Sequence, residues 1–165
     1  MKHDVQTIAA AVDAAQFKAA LGRFCSGVTV VTARTAEGVR GMTATAFSSL
    51  SLRPPQILLC IANSAKMSQA LAQTQHFGVS ILAEDQSDIS AFFAGGGVRD
   101  KVPDTEPLGG AFVVHGAIAQ LECRLASRHD EGDHTIYVGR VEACRVGDGA
   151  PLLYFSGTYG ALQRA

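Results

Sequence analysis

The sequence predicts a mainly β domain in which an antiparallel sheet closes into a barrel, with short helices at its periphery. Six or more segments are rich in β-branched and aromatic residues, whereas the helical patterns are short. Strand and helix patterns do not alternate regularly, so a doubly wound parallel sheet fits poorly. The 165 residues contain no visible repeat or linker, so residues 1–165 are treated as a single domain, with residues 1–12 as a flexible terminus.

The chain opens with a predicted amphipathic helix. Asp13 and Gln16 form a capping-box pattern, and apolar residues follow at helical spacing. These apolar residues are Phe17, Ala20, Leu21 and Phe24. Next, the β-branched run 28–33 and an extended stretch from residue 39 to about residue 47 predict a hairpin that turns at Glu37-Gly38.

Short helices and strands share the middle of the chain. Pro54-Pro55 marks the entry to a buried strand over residues 57–61, because proline cannot donate a ladder hydrogen bond. Ser64 is the predicted cap of a helix from residue 65 to about residue 73, and residues 77–82 form the next strand.

The second half contains one more helix and the longest strands. Residues 87–93 predict a short helix that ends at the glycine run 95–97, and the two prolines of residues 98–110 predict a mobile loop. Long strands are predicted over about residues 111–127 and residues 134–146, with a polar turn at 128–133 between them. Short extended stretches at 152–155 and 159–162 complete the chain.

Charge and composition exclude several classes of function. A net charge of −1 and a pI near 6.5 argue against a nucleic-acid partner. No apolar run approaches the roughly 18 residues that cross a bilayer, and no export signal is visible, so we expect no membrane contact and a cytoplasmic location. Only 18% of the residues are charged, which hints at a buried subunit interface.

Cysteine and histidine spacing predicts no metal site. The four cysteines lie far apart in apolar runs, without histidines at ligand spacing. We therefore expect the cysteines to be small buried hydrophobic side chains, and the protein to lie in a reducing compartment. The alternative is a reactive thiol or a disulfide. The five histidines are scattered along the chain and form no recognisable ligand set.

The first segment with candidate chemistry covers residues 41–51, where small and hydroxylated residues crowd a predicted strand. Its hydroxyl groups belong to Thr43, Thr45, Ser48, Ser49 and Ser51. Together with the backbone of a small-residue segment, these groups can hydrogen-bond the polar edge of a flat heteroaromatic ring. The alternative is a strand with serine and threonine on its solvent face.

Two further segments carry candidate polar groups. In residues 62–68, Ser64 and Lys66 stand at the start of a predicted helix, where an anion such as phosphate is favoured; the alternative is a plain cap with a solvated lysine. In residues 131–136, Asp133 can orient His134 at the first position of a strand; the alternative is an ordinary turn with an inert, exposed histidine.

Taken in this order, the segments resemble the short-chain flavin reductases that serve two-component flavin-dependent monooxygenases. The resemblance covers nearly the whole chain, and its specificity lies in the order and spacing of several motifs. They are Phe-Cys-Ser-Gly-Val-Thr-Val-Val-Thr at 24–32, Gly-Met-Thr-Ala-Thr-Ala-Phe-Ser-Ser-Leu-Ser-Leu at 41–52, Pro54-Pro55, Gly-Asp-His-Thr at 132–135 and Pro-Leu-Leu-Tyr at 151–154. Cys25, where the family more often has alanine, and Val102, where it often has phenylalanine, are departures.

The resemblance implies a Greek-key split β-barrel of the FMN-binding type that forms a homodimer and binds FMN or FAD. It implies reduction of the flavin by NADH or NADPH, and diffusion of reduced flavin to a monooxygenase component. The implied cofactor-binding residues are Met42, Thr43, Ala44, Thr45, Ser48, Ser49 and Ser51 at the flavin ring, Ala62, Asn63, Ser64 and Lys66 at a phosphate, Gly132, Asp133 and His134 at the nicotinamide nucleotide, and additionally Phe93, Arg99 and Tyr159. His134 is the predicted catalytic residue.

The choices between FMN and FAD and between NADH and NADPH stay open at this point. Two alternative functions also stay open. One is a non-catalytic flavin- or haem-binding module on the same barrel, and the other is a flavoprotein that reduces a cobalt corrin or a ferric chelate.

Overall fold

A computed structural model describes residues 12–96 and 102–163. Most of the proposed flexible terminus, together with Arg99, lies outside these described residues. The helices are α1 (Ala14–Leu21), α2 (Lys66–Ala72) and α3 (Ser87–Ala91), the last running into a π-helical segment at Phe92–Gly96. The strands are β1 (Ser26–Gly27), β2 (Thr29–Thr35), β3 (Gly38–Ala44), β4 (Phe47–Leu52), β5 (Pro55–Ala62), β6 (His76–Ile81), β7 (Thr105–Leu108), β8 (Ala111–Val114), β9 (Ala119–Glu131), β10 (His134–Val146), β11 (Leu153–Phe155) and β12 (Thr158–Gly160).

The strands form a mainly antiparallel architecture, which confirms the predicted class. Seven strands make the main sheet in the order β3-β2-β6-β9-β10-β5-β4, beside a three-stranded sheet β1-β11-β12 and the β7–β8 hairpin. The prediction of a closed barrel is wrong in one respect: β3 and β4 are the two edges of this sheet and do not pair. The chain passes from β3 to β4 through Thr45 and Ala46 alone, and β4 pairs with β5 instead, so the barrel stays split.

The larger of two core clusters lies on the inner face of the curved sheet. Leu59, Ile61, Phe77 and Val79 are at most 1% exposed, and α2 adds the side chains of Met67 and Leu71. Burial of such side chains supplies the main driving force for folding. The positions of β5 alternate between buried and partly exposed, so one face of this strand belongs to the core and the other remains available.

Several predicted boundaries need correction. The strand predicted over residues 111–127 is two strands, β8 and β9, because the chain reverses at Gly116, where φ is +73°. The predicted polar turn at 128–133 is mostly strand, since β9 continues to Glu131 and only Gly132 and Asp133 turn. The predicted mobile loop at 98–110 contains β7 in its described part.

Of two helix predictions, one is wrong in its cap and the other is confirmed. The N-cap of α2 is Ala65, without a side-chain cap, so the prediction that Ser64 caps this helix is wrong. Helix α1 forms as predicted, with Asp13 accepting a hydrogen bond from the Gln16 amide. However, none of its residues is buried, and the apolar stripe of α1 therefore faces outward in a single chain.

The cysteines fit their predicted role only in part. Burial raises the pKa of the Cys123 thiol to about 12, so this side chain behaves as a small apolar group. Cys25 and Cys144 are exposed, contrary to the expectation of burial, and all four cysteines are free thiols. Apolar neighbours in sequence mislead at Cys144 because alternate residues of a strand face opposite sides of the sheet, and Cys25 lies in the loop between α1 and β1.

None of the helices among the described residues is long and apolar enough to span a membrane.

Candidate functional site

The three predicted segments meet at the carboxyl end of β5. On one side, the Cys60 amide donates a hydrogen bond of 3.0 Å to the Ala46 carbonyl. On the other side, Ala62 pairs with His134. The Asn63 amide then donates a hydrogen bond of 2.9 Å to the Asp133 carbonyl, which ties the β9–β10 turn to the end of β5.

The strand register decides which of these side chains share a face. Ser48 pairs with Leu58 and His134 pairs with Ala62. Leu58, Cys60 and Ala62 alternate with the buried residues of β5, so their side chains lie on the face opposite the core. Since paired residues of adjacent strands project to the same face, Ser48, Cys60 and His134 all project from the outer face of the sheet.

A cavity of 520 Å³ lies on this outer face, and we call it the outer cavity. Its lining combines apolar residues with hydroxyl groups, and includes Phe24, Thr45, Ser48, Leu58, Cys60 and Tyr154. Ligand sites commonly measure about 300–1,000 Å³ and are mostly apolar, with a few polar groups that fix orientation. The outer cavity has the size and chemistry for a flat heteroaromatic ring with one polar edge.

His134 lies at the end of the same face, held by the neighbouring carboxylate. Its Nδ1 is 2.6 Å from Asp133 Oδ1. The pKa of Asp133 is lowered, first by this hydrogen bond, then by the charge of His134, and less by Lys18 of α1. An ionised Asp133 keeps a proton on Nδ1 and directs Nε2 away from the carboxylate. Among the described residues, Nε2 has no hydrogen-bond partner and so is available to a ligand.

The predicted phosphate residues do not gather at the outer cavity. Lys66 lines a separate cavity of 410 Å³ together with Arg40 of β3, Gln69 and Gln73. Ser64 is exposed, and Asn63 Oδ1 lies 2.7 Å from Thr135 Oγ1. Thr135 is buried, on the opposite face of β10 from His134.

The side chains of the hydroxyl-rich segment 41–51 are likewise divided between different parts of the structure. Thr45 and Ser48 line the outer cavity, whereas the side chains of Met42 and Ala44 lie against the core. Ser49 and Ser51 lie farther along β4, where Ser51 pairs with Gln56. Ser51 Oγ accepts a hydrogen bond of 3.2 Å from the Arg53 amide, so this hydroxyl supports the turn after β4.

The remaining predicted residues lie elsewhere. Thr43 Oγ1 donates to the Ser90 carbonyl, and the Tyr159 hydroxyl donates to Ser90 Oγ. Phe93 packs closely over Gly41 and lines another cavity of 440 Å³, at the β3 edge of the sheet.

Sequence reasoning missed several residues that line the outer cavity. Leu58 and Cys60 were assigned to a buried strand, although the alternation along β5 exposes one side of it. Leu21, Phe24 and Tyr154 come from α1, the loop after it and β11. No local signal joins these distant segments to β4, because only the tertiary fold brings them together.

The architecture is that of a flavin reductase-like protein, and comparison with known proteins agrees. The family model described as flavin reductase like domain matches residues 21–163. The chain belongs to this family. The prediction made from the order of its motifs is thereby confirmed.

Three relatives illustrate the similarity. The reductase component of 4-hydroxyphenylacetate 3-monooxygenase from Thermus thermophilus is 48% identical over 147 residues, which covers 88% of this chain and 95% of the relative. An NADH-dependent flavin reductase from a Rhodococcus species is 42% identical over 147 residues, covering 87% and 84%. The solved structure of the flavin reductase PheA2 in its native state superposes with a TM-score of 0.90 at 38% identity, covering 93% and 100%.

Proposed function

We propose that this protein is an NADH-dependent flavin reductase that reduces FMN or FAD for a monooxygenase component. One observation carries the proposal: an apolar cavity with hydroxyl groups lies on the same outer face as His134. A flavin bound in the outer cavity and a nicotinamide ring held near His134 would then approach each other across one face of the sheet. The names of the similar proteins support the reductase activity and the use of NADH.

The residues that line the outer cavity fit a flavin ring. Ala46 and Cys60 are small enough for a flat ring to approach the sheet, while Thr45 and Ser48 supply hydroxyl groups for its polar edge. A bound flavin supplies a ring that accepts a hydride, so the protein mainly has to position two cofactors and exclude water. Leu58 and Phe24 provide apolar walls for such a ring.

His134 is the proposed contact to the nicotinamide nucleotide. Asp133 fixes the orientation of the imidazole through the 2.6 Å contact at Nδ1. Nε2 is then left to accept a hydrogen bond from the carboxamide of the nicotinamide or, when protonated, to donate one to a phosphate. His134 accordingly binds and orients the hydride donor and transfers no atom itself.

The test of the function is an anaerobic stopped-flow assay of the purified protein with FMN or FAD and with NADH or NADPH, in all four combinations. We expect flavin reduction with NADH and release of the reduced flavin. Tight retention of flavin without oxidation of NADH would instead support a non-catalytic binding module. Transfer of electrons from a permanently bound flavin to a cobalt corrin or ferric chelate would support the second alternative.

Lys66 is the proposed contact to the flavin phosphate, which would then extend beyond the outer cavity into the separate cavity that Lys66 lines with Arg40. We expect Lys66→Ala to weaken FMN binding by about threefold, since an exposed charge pair contributes little more than this. Riboflavin, which has no phosphate, should bind with unchanged affinity. Titrations of flavin fluorescence with both ligands provide the measurement, and equal losses for FMN and riboflavin would exclude the phosphate role.

We also propose a homodimer, because the surface around the outer cavity is strongly apolar in a single chain. Phe24 and Leu21, which both line the outer cavity, are 79% and 58% exposed. Monomeric proteins rarely present a large contiguous apolar patch to water. A second copy that covers this surface would also shield the outer cavity from solvent.

Sedimentation velocity tests the homodimer. We expect a dimer for the wild-type chain and a shift toward monomer for Phe24→Glu, because this variant places a charge in the proposed interface. A wild-type chain that sediments as a monomer at micromolar concentration would contradict the proposal.

Transfer of reduced flavin to the monooxygenase by diffusion, in the cytoplasm, completes the proposed function. It predicts that a dialysis membrane between the two components slows product formation without abolishing it.

A further inference from the structure

A single buried serine joins two distant parts of the chain. Ser90 of α3 is 0% exposed. Its carbonyl oxygen accepts a hydrogen bond of 2.6 Å from Thr43 Oγ1, on the edge strand β3. Its Oγ accepts a hydrogen bond of 2.8 Å from the Tyr159 hydroxyl, on β12. One short helix thus connects β3 with the C-terminal hairpin formed by β11 and β12.

Residues next to both hydrogen-bonded positions line the outer cavity. Thr43 precedes Thr45 by two residues, and Thr45 lines the cavity. Tyr159 lies edge-on to Tyr154, with ring centroids 5.6 Å apart, and Tyr154 lines the cavity as well. Ser90 is not among the lining residues, so it acts behind the walls and does not contact a ligand.

Further hydrogen bonds hold Ser90 in place. The Ser90 amide donates to the Gln86 carbonyl. The buried Gln86 side chain in turn accepts from the Ala83 amide and donates to the His115 carbonyl, both at 3.0 Å. Because buried polar groups with satisfied hydrogen bonds resist displacement, Ser90 is a firm anchor for the two elements that bind to it.

We propose that Ser90, Thr43 and Tyr159 form a brace that sets the spacing of the outer cavity walls and thereby the affinity for flavin. They are positioning residues. The hydroxyls of Thr43 and Tyr159, which the sequence suggested as ligands of the cofactor, are donated to Ser90 instead. The inference rests on the proposed function, because it assigns these residues to the flavin site.

The test compares variants that remove one hydrogen bond each. Tyr159→Phe keeps the ring against Tyr154 and removes the hydroxyl, and Ser90→Ala removes its acceptor. We expect either change to raise the Kd for flavin about fivefold, the usual effect of one net hydrogen bond. The double variant should lose no more than either single variant, since both remove the same bond. The KM for NADH should stay unchanged.

A matched control is available on the other side of the sheet. The Tyr137 hydroxyl lies 2.8 Å from Ser68 Oγ and ties β10 to α2 over the core. Tyr137→Phe removes a hydrogen bond of the same kind and length. We expect it to lower the Tm while leaving the Kd for flavin at the wild-type value at a temperature well below the transition.

The possible results separate the brace from the function it serves. A wild-type chain that binds flavin with the same Kd as Tyr159→Phe overturns the brace and leaves the reductase proposal intact. A Tyr137→Phe variant that weakens flavin binding as much as Tyr159→Phe overturns the brace too, because the effect would then be a general loss of stability. A wild-type chain that binds no flavin overturns both proposals.

Discussion

Replacement of His134 by alanine is expected to raise the KM for NADH about tenfold, because a hydrogen bond that orients the nicotinamide nucleotide is lost. The Kd for flavin should stay close to the wild-type value, since the outer cavity is lined by other residues. Steady-state kinetics with NADH at saturating flavin, together with a titration of flavin fluorescence, measure the two quantities separately.

A second exposed histidine provides the control for this experiment. His115 Nδ1 lies 3.4 Å from Glu106 Oε2, a histidine–carboxylate pair like that of His134 but away from the outer cavity. His115→Ala should change neither the KM for NADH nor the Kd for flavin. An equal loss of flavin affinity in His134→Ala would contradict the assignment of His134 to the nicotinamide nucleotide.

The state of Asp133 determines how the His134 contact depends on pH. The pKa of Asp133 is lowered in the folded chain by its hydrogen bond to His134. Its contribution to stability is therefore present above the ordinary pKa of aspartate and is lost only as the pH falls through the lowered value. Over about pH 6–8 Asp133 stays ionised, so any change in the KM for NADH across this range does not arise from Asp133.

Replacement of Gly78 by alanine is expected to destabilise the fold by about 3 kcal/mol, near the upper end of the usual cost of overpacking. Gly78 lies in the middle of β6, and a Cβ atom there would overlap the Phe112 carbonyl oxygen of β8. It would also lie 2.5 Å from Thr32 Oγ1, which donates a hydrogen bond to that same carbonyl. The clash involves backbone, so no side-chain rotation relieves it.

Thermal denaturation followed by circular dichroism measures this effect. For a chain of this size, the loss corresponds to a decrease in Tm of roughly 10 °C. Gly160→Ala is the matched control, because a Cβ atom there meets nothing within 4 Å. It should change the stability by no more than about 0.5 kcal/mol. A Tm for Gly78→Ala within a degree of the wild-type value would show that β8 does not pack on β6 as described.

Local patterns predicted most of the elements and the segments that form the site. The β-branched runs became β2 and β6, and the Asp13 capping pattern started α1. These signals work because they depend on neighbours along the chain. The polar turn before His134 was read too broadly, since β9 continues to Glu131, and cross-strand pairing with β10 decided this boundary rather than polarity.

Only part of residues 41–51, the segment that the sequence assigned to flavin binding, lines the outer cavity. Thr45 and Ser48 line the outer cavity, while Thr43 binds Ser90 and Ser51 binds the turn after β4. A hydroxyl group has the same chemistry in each case. Its role depends on the face of the strand that carries it and on the element that lies opposite.

By itself, the amino-acid sequence determined the antiparallel class, the order of the elements and the family, because these follow from side-chain periodicity and from motifs at set spacing. Only the tertiary structure decided which polar residues share a face. The register between β5 and β10 placed His134 opposite Ala62, on the same face as Cys60. The packing of α3 turned Thr43 and Tyr159 toward Ser90. Register and packing are set by contacts between residues far apart in the chain, where local patterns carry little information.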